Sequence, residues 1–138
     1  MRATLDTNWG AVELTGRLDV NARTAFTEGH CHSLALALHE KTGWPLIGGV
    51  DRGPEYGSGR VPDHVVVQVP DGRLLDITGL HTVEDFEEEW GTVQPLDPAE
   101  VAAGFPYQLG PDVVHRYRLP DVETARPYAE KLLRRLNP

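Results

Sequence analysis

The segment from His64 to Ile77 reads His-Val-Val-Val-Gln-Val, then Pro-Asp-Gly, then Arg-Leu-Leu-Asp-Ile. Two β-branched, apolar runs around Pro-Asp-Gly predict a β-hairpin. Pro70 suits position i+1 of a type I turn, Asp71 position i+2, and Gly72 the left-handed residue of a G1 bulge. That makes a three-residue loop, and loop length sets the register. Val69 is then opposite Arg73, and Val66 opposite Asp76. His64 lies two residues from Val66, so it shares a face with Asp76 as a diagonal neighbour, ~7–8 Å away at the backbone. A two-residue loop would shift the register by one and put the two on opposite faces. Of the other nearby carboxylates, Asp71 is used by the turn and Asp63 points to the face opposite His64.

The second constraint is a helix predicted from about His30 or Cys31 to Thr42. Cys31, Leu34, Ala35 and Leu38 recur at i, i+3, i+4 and i+7, and Leu36 and Ala37 widen the apolar surface. The helix is therefore expected to be buried on more than one side. Gly43 fits its C′ position, Trp44 the following hydrophobic contact, and Pro45 blocks continuation. Upstream, Thr27-Glu28-Gly29-His30 breaks the chain direction, with Gly29 free to take a positive φ. The only cysteine of the chain thus opens a helix. Unpaired backbone N–H groups and the positive end of the helix dipole there favour the reactive thiolate.

Elsewhere, Val12, Leu14 and Leu18 suggest a short strand with turns at Gly10 and Gly16. Asp19 to Phe26 reads as a helix capped by Asp19. Residues 45–50 read as a strand, and residues 51–62 as a Gly-, Pro- and Arg-rich loop suited to the rim or lid of a site. Thr82 caps a short acidic helix that ends at Trp90 before Gly91. Asp97-Pro98-Ala99-Glu100 marks another helix start. Residues 112–119 suggest a strand, and a final helix is expected from about Glu123 to Leu136, its first turn near Pro127. The acidic residues at 84–89 read as a solvated helix face, and His81 and His115 as surface or structural residues.

The 138 residues are expected to form one domain, 1–138, and 40% hydrophobic content suffices for a core without disulfides or metal. A net charge of −8 argues against nucleic acid or an anionic membrane as partner. A single cysteine, the lack of an apolar signal core near Met1 and the lack of a long apolar run make the cytoplasm the expected compartment.

Cysteine at a helix start, histidine opening a strand and aspartate on the next strand together meet the needs of nucleophilic acyl transfer. Sulfur attacks, imidazole moves the proton, and the carboxylate holds the ring's tautomer and orientation. Gly29-His30-Cys31-His32, His64-Val65-Val66-Val67 and Leu74-Leu75-Asp76 in this order resemble the papain-like cysteine hydrolases, particularly their circularly permuted transglutaminase-like relatives. The resemblance spans about residues 27–80. It implies an α+β fold, with a central helix carrying the N-terminal Cys against an antiparallel β-sheet. It also implies Cys31 as nucleophile, His64 as base and Asp76 as orienting acid. Gly29, His30 and His32 are candidates for substrate binding or the oxyanion hole. Papain-type enzymes place a Gln before the Cys as oxyanion donor; residues 20–28 contain none, leaving Asn21, Thr27 or a backbone N–H to replace it. The expected activity is that of a cysteine-dependent hydrolase or acyltransferase, whether protease, deamidase or transglutaminase-like, on a protein, peptide or small amide. No metal or organic cofactor is needed. Two alternatives stay open: a non-catalytic binding module on the same fold, and a metal-dependent hydrolase using His30, His32 and His64.

Overall fold

A computed structural model describes residues 2–50, 62–105, 107–110, 113–115 and 118–136. The loop expected at 51–62, with its lid role, lies outside the described residues apart from Pro62. The fold is mixed α+β. Its centre is a five-stranded antiparallel sheet of β3 (Leu46–Val50), β4 (His64–Gln68), β5 (Leu74–Asp76), β6 (Gly79–His81) and β7 (Thr92–Pro95), in the order β6-β5-β4-β3-β7. Two hairpins flank it: β1 (Ala3–Thr7) with β2 (Gly10–Leu14), and β8 (Tyr107–Gly110) with β9 (Val113–His115).

The β4–β5 hairpin has the register that the turn chemistry predicts. Val67 pairs with Leu75 and Gln68 with Leu74. Val69 N–H donates to the Arg73 carbonyl at 2.9 Å, and Gly72, at φ +96°, donates to the Val69 carbonyl at 2.9 Å. Side-chain alternation then sorts the sheet into two faces. Val65, Val67 and Leu75 enter the main core, whereas Val66 and Leu74 pack with Ile47 and Phe86 on the opposite face. His64 and Asp76 belong to this second face.

Helix α1 (Val20–Thr27) is capped by Asp19, whose carboxylate accepts from Ala22 N–H. Helix α2 (Cys31–Thr42) ends at Gly43 in the left-handed region, φ +73°. Every residue of α2 from Cys31 to Leu38 is buried, because it packs on β4 on one side and on α5 (Val122–Leu136) on another. Small residues let the two helices approach: Ala35 and Ala37 on α2, and Ala125 and Ala129 on α5, all belong to the core. Tyr128 of α5 packs its ring 5.1 Å from that of Phe26 and accepts a hydrogen bond from Gly16 N–H. The N-terminal hairpin is thereby tied to the C-terminal helix.

Helix α3 (Val83–Trp90) covers the second face of the sheet, with Phe86 buried, and α4 (Pro98–Ala102) begins at the Asp97 cap. Among the described residues no helix is long and apolar enough to cross a membrane.

Five elements differ from expectation. Strand β1 pairs along its full length with β2, although Thr4 and Asp6 gave it no apolar run. Strands β6 and β7 are the sheet edges, only three and four residues long. Pairing rather than propensity makes them strands, and an edge position tolerates Pro95. Strand β8 was likewise not expected. In α5, Pro127 sits at the sixth helical position rather than in the first turn, so one backbone hydrogen bond is missing there. The helix itself starts at Val122, within one residue of the expected Glu123, because Asp121 caps it, accepting from Thr124 N–H and Thr124 Oγ1.

Candidate active site

Cys31 is the first residue of α2 and His64 the first of β4. The helix packs on the main-core face of the sheet while His64 belongs to the other face, so thiol and imidazole meet at the end of the strand. His64 is fully buried, and its Nε2–H donates to Asp76 Oδ2 at 2.9 Å. The opposite ring nitrogen, Nδ1, is buried without a well-directed hydrogen bond, and Cys31 is the group that interacts with His64 besides Asp76.

Asp76 divides its two oxygens. Oδ2 serves His64, while Oδ1 accepts from Thr78 N–H at 2.8 Å, from Thr78 Oγ1 at 2.6 Å and from His81 Nε2 at 3.0 Å. The carboxylate therefore forms the turn into β6 and orients the histidine at once. His81, expected as a surface or hydrogen-bonded structural residue, is a second imidazole on that carboxylate. The side chain of His115 lies outside the described residues.

Two aromatic rings cover His64. Trp90 stacks on it with ring centroids 4.4 Å apart and planes 26° apart, and Phe86 lies at 6.1 Å. Gly49 makes this possible. It pairs with His64 across β3 and β4, and a Cβ there would meet Trp90 Cβ at 2.7 Å and Trp90 O at 2.8 Å. Without a side chain on the strand, the end of α3 settles beside the imidazole and excludes water from the His64–Asp76 bond.

Burial alone would push the Cys31 thiol up. Hydrogen bonds from His32 and His64, together with their charges, outweigh it and bring the thiol from 9.0 down to about 6. Burial likewise disfavours a charged His64, but the bonds to Asp76 and Cys31 raise it from 6.5 to about 9. Asp76 is opposed by burial too, yet His64, Thr78 and His81 hold it at about 2. All three shifts run toward thiolate, imidazolium and carboxylate near neutral pH, the charge state that nucleophilic attack requires.

A cleft of about 210 Å³ opens at the thiol, between Cys31 and His32 on one side and Asn8, Asp63 and Arg118 on the others. Gly29 and Thr27 line its rim. Asn8 stands at the tip of the β1–β2 hairpin, and its N–H donates to the Glu28 carbonyl at 2.7 Å, tying that tip to the loop before Cys31. Of the two residues weighed for the missing Gln, Asn21 is spent on the Glu13 carbonyl and Thr27 on the Arg23 carbonyl. Asn8, which sequence reasoning passed over, is the side-chain amide at the cleft. The turn signal of Asn8-Trp9-Gly10 was its one trace in the sequence.

The three residues flanking the thiol have separate roles. Gly29 takes φ +136° and lines the cleft. His32 is buried, interacts with Cys31 and donates from Nε2 to the Arg118 carbonyl. His30 does not line the cleft. Its Nδ1 bonds Ser33 Oγ at 2.9 Å, and Ser33 Oγ also accepts from Asp121 N–H. Burial, with the nearby His32 and Arg118 charges, lowers His30 to about 4, so it is a neutral strut. For the metal alternative, no group of three His, Cys, Asp or Glu side chains among the described residues is arranged to hold an ion. Compared with known proteins, the chain matches no protein-family model, no curated protein and no solved structure.

Proposed function

We propose that this protein is a cysteine-dependent hydrolase or acyltransferase built on a papain-like, transglutaminase-like core, acting on an amide or related acyl bond. The observation that carries the reading is the buried His64–Asp76 bond of 2.9 Å, with Cys31 interacting with that same imidazole, which draws the thiol down to about 6. Cys31 Sγ attacks the carbonyl carbon, and the carbonyl electron pair moves to oxygen. The Cys31 N–H, which has no acceptor within its own helix, and the Asn8 amide are the donors for that oxyanion. Collapse of the tetrahedral adduct breaks the bond to the amine, which leaves with the His64 proton. Neutral His64 then takes a proton from water or an acceptor amine, whose attack on the thioester releases the acyl group and restores the thiol. Asp76 keeps the imidazole oriented through both halves.

The test is acylation by p-nitrophenyl acetate followed by intact-mass analysis. The expected result is a burst of p-nitrophenolate stoichiometric with protein and an acetyl adduct on Cys31, absent in Cys31→Ser and slowed at least 100-fold in His64→Ala. A thiol that stays unmodified would refute the enzyme reading and leave a binding module as the better description.

A further inference from the structure

We infer that the substrate carries a carboxylate on its acyl side and that Arg118 binds it. The inference rests on the cysteine-hydrolase reading and adds a substrate class to it. Arg118 lines the same cleft as Cys31, and none of the ion pairs among the described residues involves its guanidinium. In a chain of net charge −8, an arginine with no carboxylate partner among the described residues, beside Cys31, stands out from its surroundings.

Two further features set it there. His32, the residue after the nucleophile, donates from Nε2 to the Arg118 backbone carbonyl, pinning that stretch of chain against the start of α2. Gly29 removes the obstacle to the side chain: a Cβ at this position would overlap the Arg118 guanidinium. The guanidinium therefore lies across the loop that precedes Cys31, with its planar donor fork open to solvent. A fork of this kind matches a carboxylate in two parallel hydrogen bonds.

Asp63 lines the same cleft. The volume of about 210 Å³ is below the roughly 300–1,000 Å³ of pockets for drug-sized ligands. The cleft thus accepts a short acyl group whose carboxylate sits a few bonds from the scissile carbonyl, as in the side-chain amide of a free or C-terminal glutamine or asparagine.

Iodoacetate and iodoacetamide test this, since they deliver an anionic and a neutral group of nearly equal size to the same sulfur. In both, the thiolate displaces iodide and forms a thioether. The measured quantity is the ratio of second-order alkylation rates at Cys31, iodoacetate over iodoacetamide, at pH 7 and low salt. The ratio cancels any change in thiolate content. It is expected to fall about tenfold in Arg118→Gln and to recover most of its value in Arg118→Lys. Arg126→Gln, an exposed arginine paired with Glu40, leaves the ratio unchanged. The Arg118 carbonyl that receives His32 is retained in each variant. A ratio that does not move in Arg118→Gln overturns the inference. The enzyme reading stands or falls separately, on whether the unsubstituted protein reacts with iodoacetamide faster than a free thiol.

Discussion

The state of the Cys31 thiol can be read from the pH dependence of its alkylation. Held at about 6 instead of 9.0, Cys31 is about one-quarter thiolate at pH 5.5, against about 0.03% for an ordinary thiol. That is a ~800-fold difference in reactive form. A less basic thiolate is also a poorer nucleophile, and a Brønsted slope of about 0.4–0.5 over three units returns a factor of ~20. The net advantage over a free cysteine peptide is therefore about 30–40-fold at pH 5.5. The same arithmetic gives only about fourfold at pH 7, where the ordinary thiol has begun to ionise. The assay is the rate of iodoacetamide alkylation from pH 4.5 to 9.5, followed by intact mass and referenced to a cysteine peptide. The expected profile rises through an inflection near 6 and then flattens. His64→Ala removes one hydrogen bond and one positive charge, moving the inflection up by at least a unit. An inflection at or above 9, or an advantage near one at pH 5.5, would show that burial dominates and that the two histidines do not stabilise the thiolate.

Three further substitutions probe the supports of the site. Asp76→Asn keeps the shape but removes the charge that holds His64 at about 9; the imidazole titration, followed by NMR, is expected to move down by more than one unit. Gly49→Ala forces a Cβ to 2.7 Å from Trp90 Cβ, and overpacking of this kind costs about 1–3 kcal/mol in chemical denaturation; unchanged stability would mean that α3 yields freely. Deletion of Gly72 shortens the β4–β5 loop to two residues, which shifts β5 by one and turns Asp76 away from His64. The expected result is a folded protein whose thiol titrates like that of His64→Ala, and a thiol still near 6 would refute the register argument.

Much of the site's scaffold is readable before folding because it depends on short-range effects. Helix α2 is bounded by residues whose backbone preferences act locally, with Gly29 at φ +136° before it and Gly43 at φ +73° after it. The hairpin is similar: Pro70, Asp71 and Gly72 set a loop length, and the loop length sets which side chains share a face. His64 and Asp76 are only twelve residues apart, and one turn relates them. Edge strands β6 and β7 escaped this kind of reading. Their three or four residues carry no pattern, and neighbouring strands supply the hydrogen bonds that define them.

The sequence alone determined that a cysteine opens a helix and that a histidine and an aspartate share a face of a hairpin, since turn and cap chemistry act over a few residues. Only the tertiary structure decided what surrounds them. It brought the carbonyl of Arg118 to His32, 86 residues away, and Asn8 from the N-terminal hairpin to the cleft. It laid Trp90 on His64 through the space left at Gly49, and it turned His30 from a candidate ligand-binding group into a buried strut. These contacts join segments with no local coupling. They form because burying the apolar faces of α2, α5 and α3 against the sheet brings these chain ends together.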